Sequence, residues 1–550
     1  MPRVLLLSAL VALSGCAASP RPATVNPLPE LEGAVIESRH DADDDLLSAG
    51  LGLEGLRQLP PPSSANPTDR ELRRRAIWHS WRGIGDLRET TMPEALPIVP
   101  GREFSAQLRL AGDNRAHQVV AQIPDAFDVE RPCLLVAPAS GSRGVYGAIA
   151  VAAPVGLPRG CAIAYTDKGA GTRFEATGAT GVYVPHAHSN DNPEARWGEH
   201  VLLAARFGLA MLDRAGLRRQ PFTPANTRIV AVGLSNGGGA VLHAAEIDSR
   251  GILDAVVAAA PNIQPGWTGA RALYDYTTEA ALYQPCLLAQ PAWIDAPFMT
   301  AELRQQGQRR CSLLRSAGLL DANTGAGQSR EAHERLRASG WSEGALRLAA
   351  QNIAFDLWRA VAVTYASAYG RYGVDAHPCG FSFAAVDAQG RPRPATPLEQ
   401  QLWRSEGGGI PPTAGVAIID PNFSGDDAAL PGISCLRRLW TEQGPDAERV
   451  RAGIEAVRAT GRPRTASVTI LHGADDALIP PAFTSRPYVD AARAHGIAID
   501  YREVERAQHF DAFLPFPAMT GYAPLLPDVW RALDGQIDPA QPPTGSLRPR

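Results

Sequence analysis

Alternating apolar and polar positions early in the chain predict a pair of strands. Phe104, Ala106 and Leu108 are apolar at every second position, and a second apolar run occupies residues 119–123, after a turn at residues 112–114. Successive side chains point to opposite faces of a strand, so this pattern favours an antiparallel pair with one buried face. Residues 69–81, which precede the pair, have the spacing of a helix.

From residue 132 onward, the pattern changes to short apolar runs separated by longer segments with helical spacing. Val201, Ala205 and Leu212 fall on one face of a helix predicted over residues 194–214. Strands that alternate with helices form a parallel, doubly wound sheet, so the predicted fold class is α/β. The runs that we interpret as its strands are residues 133–137, 161–166, 228–232, 254–260, 467–471 and 497–504.

The alternation stops between Pro261 and Ser467. The intervening segment contains helical patterns near residues 329–338 and 344–369, and it is far too long for a loop. We therefore predict a large, mainly helical cap inserted into the sheet domain. The predicted divisions are residues 1–16 as a signal peptide, 17–67 as an N-terminal tether and extension, 68–261 and 467–534 as the two parts of the core, 262–466 as the cap, and 535–550 as a disordered Pro-rich tail.

One stretch, residues 228–241, carries the strongest chemical signal. A β-favouring run leads into Gly233-Leu234-Ser235-Asn236-Gly237, and a helix-compatible run follows. This is the Gly-x-Ser-x-Gly pattern between a strand and a helix, where a tight turn projects the serine hydroxyl from the sheet. Glycines two positions before and after the serine remove the Cβ atoms that would collide in the turn. Ser235 is therefore the predicted nucleophile.

A serine nucleophile needs a base, and the base needs an acid that orients it. In α/β-hydrolases the order along the chain is Ser, then Asp or Glu, then His, and the later strands here supply that order. His509 follows the last predicted strand, and Asp475 and Asp476 follow the strand before it. Counting from Gly473, the pattern Gly-x-x-Asp-x-x-Ile-Pro favours Asp476 over Asp475 as the acid.

Backbone amides near the serine should stabilise the oxyanion of an ester-cleaving reaction. The amide of Asn236 begins the helix after the nucleophile, and the loop containing Ser140 and Gly141 follows an early strand; these are the predicted donors. A plain turn is the alternative for the Ser140 loop. Residues 165–172 resemble a phosphate loop without its Gly-Lys-Ser/Thr ending, and we expect them to shape the pocket rim.

His186 and His188 lie two residues apart, near Asp191. These residue types can ligate a metal ion, but a structural polar loop is the preferred interpretation. The net charge is −4, which gives no electrostatic case for nucleic-acid binding. Lysine is very rare beside arginine, which we attribute to base composition of the genome.

The N-terminus has the features of a targeting segment. Arg3 precedes a short apolar run that ends in Leu13-Ser14-Gly15-Cys16, which resembles a lipobox, so lipidation of Cys16 is predicted; an ordinary secretory signal is the alternative. Both kinds of signal predict export to the periplasm or the exterior, and the lipobox also predicts a lipid anchor, in the outer membrane. An even set of six further cysteines suggests disulfides. They allow fifteen pairings, of which pairing of neighbours is a guess, and buried free thiols are the alternative.

Several segments resemble the D-(−)-3-hydroxybutyrate oligomer hydrolases, a family of serine esterases. The similar segments are residues 43–52, 72–78, 165–172, 186–190, 235–238, 472–488 and 508–513. The resemblance implies an α/β-hydrolase fold, a nucleophile at Ser235 and hydrolysis of short 3-hydroxybutyrate oligomers. No polymer-binding segment is recognisable after residue 530, so we expect soluble oligomers rather than solid polyester as the substrate.

The sequence therefore predicts an exported carboxylic ester hydrolase that uses Ser235, His509 and Asp476. No metal or organic cofactor is required by this chemistry, and the predicted partner is a small ester. A feruloyl- or tannase-like esterase of phenolic esters is the nearest alternative. An alternative of another class is a non-catalytic lipoprotein that binds oligomers, against which the intact order of Ser, Asp and His argues.

Overall fold

The structure is a computed structural model that describes residues 28–171, 173–404 and 409–539. A nine-stranded sheet forms its centre, in the order β1-β2-β3-β5-β4-β8-β9-β13-β14. The strands of this sheet are β1 (Leu31–His40), β2 (Gly101–Leu108), β3 (His117–Pro124), β4 (Cys133–Pro138), β5 (Ala162–Thr166), β8 (Arg228–Leu234), β9 (Ala255–Ala259), β13 (Ser467–Gly473) and β14 (Asp500–Val504). A second, five-stranded sheet contains β6 (Glu175–Thr177), β7 (Gly181–Tyr183), β10 (Ser382–Val386), β11 (Pro392–Arg393) and β12 (Val416–Ile419).

In this central sheet the neighbouring strands β5, β4, β8, β9, β13 and β14 pair in parallel, while β1, β2 and β3 add an antiparallel edge. The predicted mostly parallel sheet and the predicted early antiparallel pair are both present. The strand order reverses at β4, which lies between β5 and β8. In open parallel sheets, sites form where the order reverses, outside the carboxyl ends of the strands. The loops after β4 and β8 lie at this point, and they contain Ser140 and Ser235.

Alternation along the buried strands fixes the layers on the two faces of the sheet. Leu135 and Val230 face one apolar cluster, and Leu134 and Ile229 face another. The helices of the sheet domain are α1 (Gly52–Arg57), α2 (Asp69–Arg82), α3 (Ile149–Gly156), α4 (Pro185–His188), α5 (Trp197–Arg214), α6 (Asn236–Ile247), α16 (Ser485–Ala494) and α17 (Leu526–Ile537). Helices α2, α3 and α17 pack against the first face, and α5, α6 and α16 against the second.

The long insertion is a mainly helical cap with its own apolar core. Its helices are α7 (Leu273–Leu287), α8 (Ala301–Ser316), α9 (Gly325–Ala338), α10 (Glu343–Arg347), α11 (Ala349–Ala354), α12 (Leu357–Gly370), α13 (Pro397–Trp403), α14 (Leu430–Thr441) and α15 (Pro445–Glu455). The single helix expected near residues 344–369 is three helices, α10 to α12. Leu348 separates α10 from α11, and Asp356, in a left-handed conformation (φ 53°), separates α11 from α12.

Three other expectations differ from the structure. Within the predicted tether, β1 pairs with β2 and extends the sheet, so this part of residues 17–67 is ordered sheet. Helix α17 runs to Ile537, three residues into the predicted disordered tail. Strand β7, assigned to the core from sequence, pairs with β10 of the cap. The edge strand β1 was missed because a strand at a sheet edge needs little apolar sequence and is defined by its partner.

Three disulfides, Cys133–Cys161, Cys286–Cys311 and Cys379–Cys435, join cysteines that are neighbours along the chain. The first joins β4 to the start of β5, and the other two lie within the cap. No helix in the described ranges combines the length and apolar character needed to cross a bilayer. The predicted signal peptide and Cys16 lie outside the described residues.

Candidate active site

The predicted nucleophile sits on a strained turn between β8 and α6. Ser235 has φ 62° and ψ −122°, a conformation that a residue with a side chain rarely adopts. The flanking glycines make the turn possible: a Cβ on Gly233 would lie 2.3 Å from the carbonyl of Gly237, and a Cβ on Gly237 would lie 2.6 Å from the Pro138 oxygen. The second of these distances also shows that the end of β4 packs directly against the start of α6.

Ser235, His509 and Asp476 form one hydrogen-bonded chain. The Ser235 hydroxyl lies 2.9 Å from His509 Nε2, and His509 Nδ1 lies 2.6 Å from Asp476 Oδ2. The three residues come from the loops after β8, β14 and β13, which all leave the same edge of the sheet. A hydroxyl, an imidazole and a carboxylate in this order can deprotonate the serine and stabilise the imidazolium that results.

Asp476 is held as a carboxylate that accepts hydrogen bonds. Its Oδ1 accepts from the amides of Leu478 (2.9 Å) and Ile479 (2.8 Å). Burial alone would raise the pKa of this carboxyl, but the charge of His509 and the hydrogen bonds from His472 and His509 hold the pKa well below its usual range. Asp476 therefore stays ionised beside the imidazole.

Asp475, the alternative acid, occupies a different environment. It is half-buried, and its Oδ1 lies against Gly344 of the cap, where a Cβ would be 1.8 Å away. Burial raises the pKa of this carboxyl. The sequence preference for Asp476 over Asp475 therefore agrees with the geometry around His509.

The predicted oxyanion donors lie beside the nucleophile, but they are not equivalent. The Asn236 side chain is engaged away from its backbone, because its Nδ2 donates to the Tyr365 hydroxyl (2.6 Å) and its Oδ1 accepts from Asn262 (3.0 Å). The amide of Asn236 begins α6, where backbone N–H groups have no partner within the helix. The Ser140 amide instead donates to the Gly147 oxygen at 3.3 Å, so it is the least suited of the predicted donors.

The cap covers the site and supplies contacts that sequence reasoning missed. Ser235 is 4% exposed and His509 is 3% exposed. Tyr365 on α12 binds Asn236, and Asn352 on α11 donates to the oxygen of Ala477, next to Asp476. No sequence signal ties these cap residues to the site, because each lies more than a hundred positions from its partner.

The two histidines near Asp191 do not converge on one point. His186 Nδ1 contacts the Ser142 hydroxyl at 2.6 Å, whereas His188 Nδ1 accepts from its own helix start at the Val184 amide. Within the described ranges, no group of three or more His, Cys, Asp or Glu side chains is arranged to hold a metal ion.

The strand order, the strained serine turn and the cap define this protein as an α/β-hydrolase. Residues 12–184 and 172–537 match the family model described as 3HB-oligomer hydrolase. The chain belongs to the 3HB-oligomer hydrolase family.

Curated relatives named for the same family align with nearly the whole chain. A D-(-)-3-hydroxybutyrate oligomer hydrolase of Paracidovorax citrulli is 37% identical, over 96% of this chain and 90% of the relative. A protein of the same name from Polaromonas sp. is 35% identical, over 93% of this chain and 86% of the relative.

Similarity to solved structures is much weaker. Tannin acyl hydrolase from Aspergillus niger is 12% identical, with a TM-score of 0.39, over 83% of this chain and 81% of that one. Candida antarctica lipase A is also 12% identical, with a TM-score of 0.35, over 82% of this chain and 89% of the lipase. The fold assignment rests on the strand order and the family match.

Proposed function

We propose that this protein is a serine esterase that hydrolyses short 3-hydroxybutyrate oligomers to 3-hydroxybutyrate. The hydrogen-bonded chain from Ser235 through His509 to Asp476 carries the proposal for the chemistry. The substrate class is supported by relatives named for 3-hydroxybutyrate oligomers that are 33–37% identical to this chain.

In the proposed reaction, His509 Nε2 takes the proton of the Ser235 hydroxyl while the oxygen attacks the ester carbonyl. Asp476 stabilises the imidazolium, which then protonates the departing alcohol oxygen. The amides of Asn236 and Gly141 bind the oxyanion of the tetrahedral intermediate, while the Ser140 amide is held by the Gly147 oxygen. Water then attacks the acyl-enzyme with His509 as the base, which releases the acid product and restores the Ser235 hydroxyl.

The decisive experiment combines product analysis with two serine variants. Wild-type protein should release monomer from the 3-hydroxybutyrate dimer and trimer and should label with a fluorophosphonate probe. Ser235→Ala should lose about 10⁶-fold in kcat and all labelling, whereas Ser249→Ala, at an exposed serine outside the site, should match the wild type.

Three outcomes would contradict the proposal in different ways. Activity retained by Ser235→Ala would remove the nucleophile from the mechanism. Rapid cleavage of methyl ferulate with no cleavage of the dimer would replace the substrate class with phenolic esters. Binding of oligomers without turnover or labelling would indicate a non-catalytic binder.

We also propose that the chain is exported and that Cys16 is lipidated. The short apolar run before Cys16 and three disulfides support an oxidising compartment outside the cytoplasm. Metabolic labelling with a radioactive fatty acid should mark the wild type and not Cys16→Ser. Labelling of neither protein, together with recovery of both in the cytoplasm, would contradict the proposal.

A further inference from the structure

The loop of residues 140–142, here called the oxyanion loop, has an uncommon neighbour. Lys168 is the single lysine of a sequence in which lysine and arginine together number 53. It follows β5 and is completely buried, at 0% exposed. Its Nζ donates to the Gly141 oxygen at 2.6 Å and lies 4.9 Å from the centre of the Trp197 ring. Burying an ammonium costs free energy of folding, which suggests that its contact with this loop has a function.

A second residue, His186 of α4, holds the same loop and also contacts the cap. His186 Nδ1 lies 2.6 Å from the Ser142 hydroxyl, and its ring packs 4.8 Å from the ring of Tyr365. Tyr365 in turn accepts the hydrogen bond from Asn236 Nδ2 at 2.6 Å. This contact chain joins the oxyanion loop to the residue that follows the nucleophile. The two groups of proposed oxyanion donors are thus linked by side chains that belong to neither.

The residue type at position 168 fits this role. A guanidinium carries five donors in a plane and keeps its charge, so it needs several acceptors when buried. Within the described residues, the partners of the Lys168 ammonium are one carbonyl and one aromatic face, and a compact ammonium suits such a site. Every other cationic side chain of the lysine and arginine type is an arginine, and lysine occurs at the position where the cation has a single carbonyl, that of Gly141, to bind.

The charge environment of Lys168 makes the contact sensitive to pH. The titratable groups around it are Asp167, Glu194, His186 and His200. Burial lowers the pKa of Lys168 to about 7, against the opposing charges of Asp167 and Glu194. Burial also raises the pKa of Glu194 to about 7 and of Asp167 to about 6. Burial lowers the pKa of both histidines, so they stay neutral near pH 7.

We propose that Lys168 and His186 are positioning residues that hold the oxyanion loop so that its amides and the Asn236 amide converge on the ester oxyanion. The inference rests on the proposed function, because it assigns a purpose to contacts around the proposed oxyanion site. It also gives a role to one residue in each of two sequence motifs, residues 165–172 and 186–190, that the catalytic chain does not use.

The first test uses matched variants on the proposed substrate. Lys168→Met should lower kcat about 10- to 100-fold, since loss of one oxyanion donor lowers kcat about 10²- to 10³-fold and this effect is indirect. KM should change less than about threefold, because the loop acts mainly in the transition state. His186→Phe should lower kcat about 10-fold, because it keeps the ring packing on Tyr365 and loses only the Ser142 contact. His188→Phe removes a buried imidazole from the same short helix and should stay within about twofold of the wild type.

A reversible boronic acid separates positioning from folding. It forms a tetrahedral adduct on the serine that mimics the transition state, so its Ki should rise in Lys168→Met by the same factor as kcat falls. The thermal midpoint reports folding separately, since the variant removes a buried charge but leaves the Gly141 oxygen without its donor. A merely structural lysine would change the midpoint and leave kcat and Ki unchanged.

The single lysine also permits a direct reading of its protonation. Protein labelled with 13C at the lysine Cε should give one lysine resonance that titrates near pH 7. The wild-type kcat should fall along an alkaline limb at that same pH, and Lys168→Met should lack the limb. Loss of the lysine charge with no fall in the wild-type kcat, or an identical limb in the variant, would overturn the role of Lys168.

The outcomes distinguish this inference from the proposed function. If Ser235→Ala is inactive while Lys168→Met and His186→Phe both match the wild type in kcat and Ki, only the positioning role fails. If Ser235→Ala retains activity, the proposed function fails first. Should Lys168→Met not fold, His186→Phe against His188→Phe and the wild-type lysine titration decide the question.

Discussion

His472 Nε2 lies 3.3 Å from Asp476 Oδ2, the same carboxylate oxygen that His509 binds at 2.6 Å. The other contacts of His472 fix its tautomer. Nε2 lies 2.8 Å from the Ile479 oxygen, which can only accept, so Nε2 carries the proton and Nδ1 accepts from the Ser485 hydroxyl at 2.7 Å. The buried imidazole of His472 therefore contacts both the Asp476 carboxylate and, at Ile479, the loop that carries Asp476.

His472→Phe should weaken both the site and the fold. It removes donors to a buried carbonyl and a buried carboxylate, so the free energy of unfolding should fall by about 1–3 kcal/mol. We expect kcat to fall about 10-fold as Asp476 loses orientation, in steady-state assays beside urea unfolding. His495→Gln, at an exposed histidine, is the control. An unchanged kcat in His472→Phe would show that these contacts are dispensable.

Asp476→Asn against Asp475→Asn tests which carboxylate orients the base. Asparagine at 476 keeps the shape but favours the wrong imidazole tautomer, so kcat should fall about 10⁴-fold. Asparagine at 475 should leave kcat within about twofold, because that side chain lies against Gly344 rather than His509. The measurement is kcat on a soluble ester at pH 8. Similar losses in both variants would contradict the assignment.

The buried pair His117 and His200 should make the fold sensitive to acid. Their rings pack 4.2 Å apart, and burial lowers the pKa of His117 from 6.5 to about 3. Between these values the unfolded state binds the proton and the folded state does not, so stability present above pH 6.5 is lost as the pH falls.

His117→Phe should remove this loss at one ring. When the pH falls from 8 to 5, the variant should lose about 2 kcal/mol less of its free energy of unfolding than the wild type does. The wild type loses about 1.4 kcal/mol at this ring for each pH unit below the unfolded pKa. Urea unfolding at the two pH values measures the difference. At pH 8 the rings are neutral in both states, so that comparison reports packing alone. Equal pH slopes in the two proteins would contradict the prediction.

The cap contains a buried ion pair, Arg310 with Asp427, whose side chains are each 1% exposed. Arg310 also donates to the oxygens of Ala281 and Leu282 within α7. Asp427→Asn should lower the free energy of unfolding by about 3–5 kcal/mol, because an uncompensated charge stays buried.

The double variant Arg310→Met with Asp427→Leu should recover most of this loss, since paired apolar groups avoid the desolvation of both ions. The exposed cap pair of Arg391 with Asp387 is the control, and Arg391→Met should change stability by about 0–1 kcal/mol. Denaturant midpoints of the four proteins measure these effects. A small effect of Asp427→Asn would show that the cap unfolds without breaking this pair.

Local pattern was sufficient to predict much of the sheet and the residues of the candidate site. Alternation predicted β2 and β3, and the glycines around Ser235 predicted the turn, because both depend on steric rules that act over a few residues. The spacing after Gly473 selected Asp476 in the same way. Edge strand β1 and the pairing of β7 with β10 were not predicted, since a partner distant in sequence defines each of them.

The sequence by itself determined the kinds of groups that the site contains and the order in which they occur along the chain. Only the tertiary structure decided that Lys168 meets Gly141, that Tyr365 of the cap meets Asn236, and that His472 shares Asp476 with His509. The physical reason is that hydrogen bonds between separate loops depend on how the sheet and the cap pack together. No periodicity within either segment records that packing.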